Sequence, residues 1–156
     1  MIVGERKPFG EIQGLLGRYN NILLVGCGTC VKVCFTGGDK EVAVLASQLR
    51  LAGAKGKKKP AIDEMTIERQ CEIEFVDEVA KALPGHDVIM SMACGAGVQM
   101  LASRFPEVPV LPAVASRFDD PGTTRVFLAV CRELAARGLA PWEALAETQA
   151  PEAIRA

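Results

Sequence analysis

The chain repeats one pattern, a short aliphatic run that stops at a cysteine between small residues. Residues 22–28 read ILLVGCG and residues 88–95 read VIMSMACG, with Cys27 and Cys94 in matching positions. A continuous aliphatic run of this length is typical of a parallel strand buried on both faces, and small residues after it are typical of a turn. The pattern therefore predicts two buried strands, each ending at a cysteine.

Helical periodicity fills the stretches between these runs, and two shorter strands are predicted as well. Strand and helix alternation predicts a single α/β domain with a mostly parallel, Rossmann-like sheet and helices on both faces. Residues 1–20 are predicted as an N-terminal helix that packs on the domain, 21–140 as the α/β metal-binding domain and 141–156 as a C-terminal cap and tail. The predicted helices are Pro8–Leu16, 39–52, 73–83, 98–105 and Thr123–Arg137, and the added strands are Glu64–Arg69 and Val108–Leu111.

Composition excludes several classes of partner. The chain has 156 residues, 49% of them hydrophobic, which suits one sizeable core. Lysine and arginine total 18 against 19 aspartates and glutamates, so no net positive field favours nucleic acid or an anionic membrane. No apolar run has the length of a membrane span, and no secretory signal is recognised. We expect a cytoplasmic protein.

Six cysteines in such a chain suggest either disulfides or ligands and redox groups. Cys27, Cys30 and Cys34 lie too close together in sequence to join distant parts of the chain. A small secreted disulfide scaffold would also not carry such a large aliphatic core. We therefore favour metal ligation in a reducing compartment.

The predicted topology brings distant cysteines to one edge of the sheet. Cys27, Cys71 and Cys94 each follow a predicted strand, and ligands of open α/β sheets collect at the carboxyl ends of the strands. Cys30 and Cys34 add a C-x2-C-x3-C spacing after the first strand. A helical turn that begins near Thr29 would place these two thiols on one face.

Cys27, Cys30 and Cys94 are the preferred ligands, because glycine-rich turns at strand ends argue against cysteine as simple core filling. Cys34 and Cys71 compete for the fourth position. We interpret Cys131, on a predicted helix, as core filling. The flanking glycines, Gly28 and Gly95, are predicted to bind the cofactor by allowing close approach of the backbone.

Two metal centres suit four thiolates. A 4Fe–4S cluster tolerates irregular ligand spacing, whereas structural zinc sites usually show two C-x2-C knuckles and this chain has one. We favour the cluster, and zinc is the alternative. The single histidine, His86, follows Pro84 and Gly85 and is expected to be exposed in a turn rather than catalytic.

Three segments carry a resemblance to a known family: LVGCGTCVKVC at 24–34 with GGDKEV at 37–42, RQCE at 69–72, and MACGAGVQ at 92–99. Over about residues 21–111 the chain resembles the methylenetetrahydrofolate reductase C-terminal domain family, the MetV-type subunits of one-carbon metabolism, in a short form. Longer members have a further cysteine-rich region near the C-terminus, whereas only Cys131 follows Cys94 here.

The resemblance implies an iron–sulfur accessory or electron-transfer subunit that pairs with a flavin-bearing methylenetetrahydrofolate reductase. In that role the chain would be a non-catalytic part of an oxidoreductase complex. The alternative is a non-redox, zinc-stabilised scaffold domain that docks a catalytic partner.

Overall fold

The computed structural model describes residues 2–56 and 59–118, together with the isolated residues 122 and 129. Strands and helices alternate through most of this part of the chain. The elements in chain order are β1 (Ile2–Arg6), α1 (Phe9–Leu16), β2 (Asn21–Cys27), α2 (Cys30–Val33), α3 (Asp39–Lys55), β3 (Ala61–Ile67), α4 (Ile73–Ala82), β4 (Val88–Met92), α5 (Gly95–Arg104), β5 (Val110–Pro112) and β6 (Val114–Phe118).

A four-stranded sheet in the order β3-β2-β4-β5 forms the centre of the fold, and each neighbouring pair is parallel. Residues 22–27 of β2 and all of β4 are buried. Because both faces of these strands are covered, every position favours an apolar or small side chain, which explains the uninterrupted aliphatic runs. The predicted α/β class and parallel sheet are confirmed.

Helices cover both faces of the sheet, as predicted. Leu24 lies in one hydrophobic cluster with side chains of α1 and α3, including Leu45. Its neighbour Val25 points to the other face and lies in a second cluster with Val76 of α4 and Leu101 of α5. Each fully buried aliphatic side chain of this kind stabilises the fold by about 1.5–3 kcal/mol relative to an exposed one.

A two-stranded antiparallel ribbon was not predicted. It pairs β1 with β6, from Ile2 opposite Phe118 to Arg6 opposite Val114. The prediction for residues 1–20 contained only the helix that α1 confirms. Strands from opposite ends of the described chain make this pair, so no local pattern identifies the partner.

The predicted boundaries of two strands were wrong. β3 begins and ends earlier than Glu64–Arg69, because it pairs residue for residue with β2, from Asn21 opposite Ala61 to Cys27 opposite Ile67. β5 occupies Val110–Pro112 rather than Val108–Leu111, in register with β4. The pairing with a neighbour sets these limits, not the local hydrophobic pattern.

Several predictions concern residues outside the described part of the chain. They are the helix at Thr123–Arg137, the cap and tail from Pro141, and the core position of Cys131. Among the helices that are described, none combines the length and apolar character needed to cross a bilayer.

Candidate metal centre

The strands β2, β3 and β4 end together at one edge of the sheet, which we call the cysteine edge. Gly26, next to the end of β2, is opposite Thr66 of β3 on one side and Met92 of β4 on the other. The end of β2 and the connections after these three strands carry all the predicted cysteine ligands. Parallel pairing is therefore what places segments distant in sequence beside one another.

Cys27 is the last residue of β2 and is buried. Its backbone N–H donates to the carbonyl of Gly37 at 2.9 Å. Its Sγ lies 3.8 Å from the Glu68 carbonyl oxygen and 3.7 Å from Thr29 Oγ1. These contacts fix the thiol between the end of β3 and the turn that follows β2.

Cys30 and Cys34 bracket the single turn of α2. The N–H of Cys34 donates to the carbonyl of Cys30 at 3.2 Å, which confirms the helical turn predicted near Thr29. Cys30 is exposed and its Sγ lies 3.9 Å from Thr29 Oγ1, whereas Cys34 is half-buried. The helix ends here because Phe35 takes a left-handed backbone conformation, with φ of 55°.

Cys71 lies in the connection from β3 to α4 and is exposed. Partial burial of the thiol raises its pKa, and nearby Cys94, Cys27 and Cys30 raise it further. Like-charged thiolates destabilise one another only over short distances. Cys94, Cys27 and Cys30 are thus close enough to Cys71 to act on it electrostatically.

Cys94 is half-buried and caps the N-terminus of α5. Its carbonyl accepts the N–H of Val98 at 3.1 Å, and the next N–H, that of Gly95, donates to Ser116 Oγ at 3.1 Å. A thiolate at this position would be stabilised by the partial positive charge of the helix N-terminus.

Gly28 and Gly95 hold the loops of the cysteine edge in place. The N–H of Gly28 donates to both Ile67 and Glu68 carbonyls, at 2.9 and 3.1 Å. A Cβ at Gly28 would be 3.4 Å from the Glu68 oxygen. The structure gives these two glycines contacts with the protein itself, and their predicted contact with a cofactor stays a prediction.

A buried polar network behind the cysteine edge was missed by the sequence analysis. The Gln70 side chain is fully buried, donates to the Val25 carbonyl at 2.9 Å and accepts from the Ser91 hydroxyl at 2.6 Å. The signal that could have revealed it was Ser91, the polar residue in the run VIMSM.

Three exposed apolar side chains flank the cysteine loops, and we call them the apolar rim. Val33 and Phe35, on either side of Cys34, are 78% and 82% exposed, and Ile73, close to Cys71, is 58% exposed. Exposed apolar side chains are common singly, but here they accompany the loops that carry the thiols.

The predicted ligands are all thiols, which both a 4Fe–4S cluster and a zinc ion accept. Burial raises the pKa of the Cys71 thiol most, and the thiols of Cys94, Cys27 and Cys30 lie near enough to raise it further. As the side chains stand, no three Cys, His, Asp or Glu residues within 2–56 and 59–118 are gathered closely enough to ligate one metal ion.

His86 is less exposed than predicted. Its side chain is 10% exposed, with Nε2 3.0 Å from Asp63 Oδ2 and Nδ1 3.2 Å from the Leu83 carbonyl oxygen. The ring folds back onto the end of α4, so these contacts account for both of its nitrogens.

Comparison of the chain with protein-family models, with curated proteins and with solved structures finds no match.

Proposed function

We propose that this chain binds an iron–sulfur cluster through Cys27, Cys30, Cys71 and Cys94. We further propose that it serves as the accessory or electron-transfer subunit of a flavin-dependent methylenetetrahydrofolate reductase. The observation that carries the metal proposal is that four thiols, from the end of β2 and from the connections after β2, β3 and β4, lie at the cysteine edge.

Cys71 is the better fourth ligand. Burial is the largest cause of its raised pKa, and the neighbouring charges that raise it further are those of the other three proposed ligands, Cys94, Cys27 and Cys30. Cys34 instead ends α2, with its N–H bonded to Cys30.

The chain's own groups suit a negatively charged centre. Thr29 Oγ1 lies between the sulfurs of Cys27 and Cys30 and can donate its hydroxyl proton to either thiolate. Cys94 sits at the positive end of α5. Hydrogen bonds and helix dipoles of this kind stabilise negatively charged sulfur.

An iron–sulfur cluster, when bound, accepts and releases single electrons. The position of the proposed ligands supports exchange with a partner, because Cys30 and Cys71 are exposed while Cys27 is buried. The site would therefore be anchored on the sheet and open at the protein surface.

The partner proposal rests on the sequence resemblance and is supported by the apolar rim. Val33, Phe35 and Ile73 expose apolar surface beside the same loops. A flavoprotein subunit that covered these side chains would bury them and bring its flavin near the proposed cluster. Burying an exposed apolar side chain contributes roughly 1.5–3 kcal/mol, and aromatic residues contribute most often to such contacts.

Anaerobic reconstitution tests the metal proposal. The chain would be incubated with iron and sulfide, desalted, and assayed for iron, sulfide and zinc, with visible and paramagnetic resonance spectra before and after reduction. We expect about four irons per chain, as a 4Fe–4S cluster requires, and a visible absorption that bleaches reversibly on reduction. A colourless chain with stoichiometric zinc would replace this proposal with the zinc scaffold.

Affinity purification from the native host tests the partner proposal. We expect a flavoprotein to co-purify, and the complex to show folate-dependent electron transfer that the chain alone does not catalyse. Robust folate turnover by the chain alone, or a stable complex with an unrelated enzyme, would contradict the assignment.

A further inference from the structure

We infer that Gln70 and Ser91 are positioning residues that fix the cysteine-bearing loops relative to one another. The inference deepens the proposed metal site and rests on it for its functional meaning. Neither side chain is a proposed ligand. Gln70 acts through Cys71, which follows it directly, and Ser91 acts through Ala93, which precedes Cys94.

A continuous series of hydrogen bonds joins three segments of the chain. The N–H of Ala93 donates to Ser91 Oγ at 3.3 Å, and the Ser91 hydroxyl donates to Gln70 Oε1 at 2.6 Å. Gln70 Nε2 then donates to the Val25 carbonyl at 2.9 Å. One buried amide thus connects β2, β4 and the loop after β3.

Each segment joined by this network carries a proposed ligand. Gln70 immediately precedes Cys71, Ala93 immediately precedes Cys94, and β2 ends in Cys27. Cys71 lies between β3 and α4, so no regular secondary structure fixes its position. The hydrogen bonds give this loop a fixed point directly beside the thiol.

Packing of α5 closes over the amide. A Cβ at Gly97 would stand 2.8 Å from Gln70 Cβ and 2.7 Å from Ala93 Cβ, so only glycine lets the helix approach this closely. Gln70 and Ser91 both have no exposed surface. A buried polar group that loses its partner destabilises the protein by about 1–3 kcal/mol. Arrangements of the loops that break these hydrogen bonds are therefore less stable than the one observed.

Two variants remove the network by different routes. Ser91→Ala deletes the hydroxyl, and Gln70→Met retains most of the volume while removing both side-chain hydrogen bonds. Ser91→Thr keeps the hydroxyl and serves as the rescue variant. Val88→Ala, at the opposite end of the same strand β4, is the control for general loss of stability.

The first measurement needs no metal. In the metal-free chain, the alkylation rate of each thiol by iodoacetamide would be followed by peptide mass spectrometry. In Ser91→Ala and Gln70→Met, we expect the ratio of the Cys71 alkylation rate to the Cys34 alkylation rate to change severalfold. In Ser91→Thr and Val88→Ala, this ratio should stay at its wild-type value. A uniform change across all thiols, equal to that of Val88→Ala, would overturn the inference.

The second measurement uses the reconstituted chain and follows iron removal by a chelator. We expect removal about 10- to 100-fold faster in Ser91→Ala and Gln70→Met, the range typical when groups that support metal ligands are lost. Wild-type rates in both variants would overturn the inference and leave the metal proposal standing. Failure of the wild type to take up iron would overturn the metal proposal, and the alkylation ratios would still decide the positioning role.

Discussion

The backbone of Gly37 lies against the carbonyl oxygen of Met92, so closely that a Cβ at residue 37 would stand 1.8 Å from that oxygen. The Gly37 carbonyl also accepts the N–H of Cys27. The loop between α2 and α3 is thereby held at the ends of both β2 and β4. Because the contacted atom belongs to the backbone, it cannot move aside for a side chain at residue 37 as a flexible side chain could.

We expect Gly37→Ala to destabilise the protein by about 1–3 kcal/mol or more, because overpacking here forces a backbone shift. Urea unfolding measures the change. The control is Gly14→Ala in α1, where nothing lies within 4 Å of the added Cβ. Alanine in a helix is favoured over glycine by roughly 0.5–1 kcal/mol, so the control should gain stability. Equal effects in the two variants would contradict the close contact.

Serine substitutions separate Cys71 from Cys34 as the fourth ligand. We expect Cys71→Ser to lose or convert the reconstituted cluster, as Cys27→Ser, Cys30→Ser and Cys94→Ser would, because each removes a proposed thiolate. Cys34→Ser should keep its iron and its spectrum. Iron and sulfide analysis with visible spectra checks the series. The opposite ranking of Cys34 and Cys71 would move the fourth ligand to α2.

The reactivity of Cys71 should depend on its neighbouring thiols. Partial burial and the nearby Cys94, Cys27 and Cys30 raise the pKa of Cys71, so less of it is thiolate at a given pH. In the metal-free chain, its alkylation should therefore reach its plateau at higher pH than an ordinary thiol. Cys94→Ser removes one like charge and should move that profile to lower pH, and Cys34→Ser should leave it in place. An unchanged profile in Cys94→Ser would argue that the two thiols are far apart.

Phe35 is expected to serve binding rather than stability. It is 82% exposed and has a φ of 55°, a conformation that costs most residues about 1–2 kcal/mol and that asparagine tolerates better. Phe35→Asn should keep or raise the free energy of unfolding while weakening capture of the proposed flavoprotein partner. Leu51→Asn, also exposed but on α3, is the matched control. Loss of stability without loss of binding would reverse the assignment.

Asp87 should make stability depend on pH in the acidic range. The backbone N–H groups of Asn20 and Asn21 each donate to its carboxylate at 2.9 Å and lower its pKa. The native state thus favours the ionised form, and this contribution is present above the ordinary carboxyl pKa and is lost as pH falls through the lower native value. Asp87→Asn should flatten this part of the stability profile. Urea midpoints across this range provide the measurement.

The sequence predicted those parts of the fold whose cause is local. β2 and β4 are buried on both faces, so their aliphatic runs and the cysteines that follow them could be recognised directly. The helical periodicity from Asp39 onward likewise predicted α3. Its buried side chains are Val42, Leu45, Ala46 and Leu49.

What could not be predicted depends on contacts between distant residues. β1 finds its partner at the far end of the described chain, and β3 takes its limits from β2. Gln70 looks like an ordinary polar loop residue beside Cys71, and only the tertiary structure shows it buried against Ser91. The choice between Cys34 and Cys71 also depends on distant contacts. Local spacing in the sequence favours Cys34, whereas convergence across the sheet favours Cys71.

The parallel pairing of β2 with β3 and β4 also has a consequence for folding order. Cys27 and Cys30 are close in sequence and can meet early, but Cys71 reaches them only once β3 has paired with β2, and Cys94 only once β4 has paired with β2. Such long-range pairings form slowly, because the chain must close large loops first. A nascent chain would therefore present an incomplete set of thiols, and full assembly of a metal centre would have to wait for the sheet.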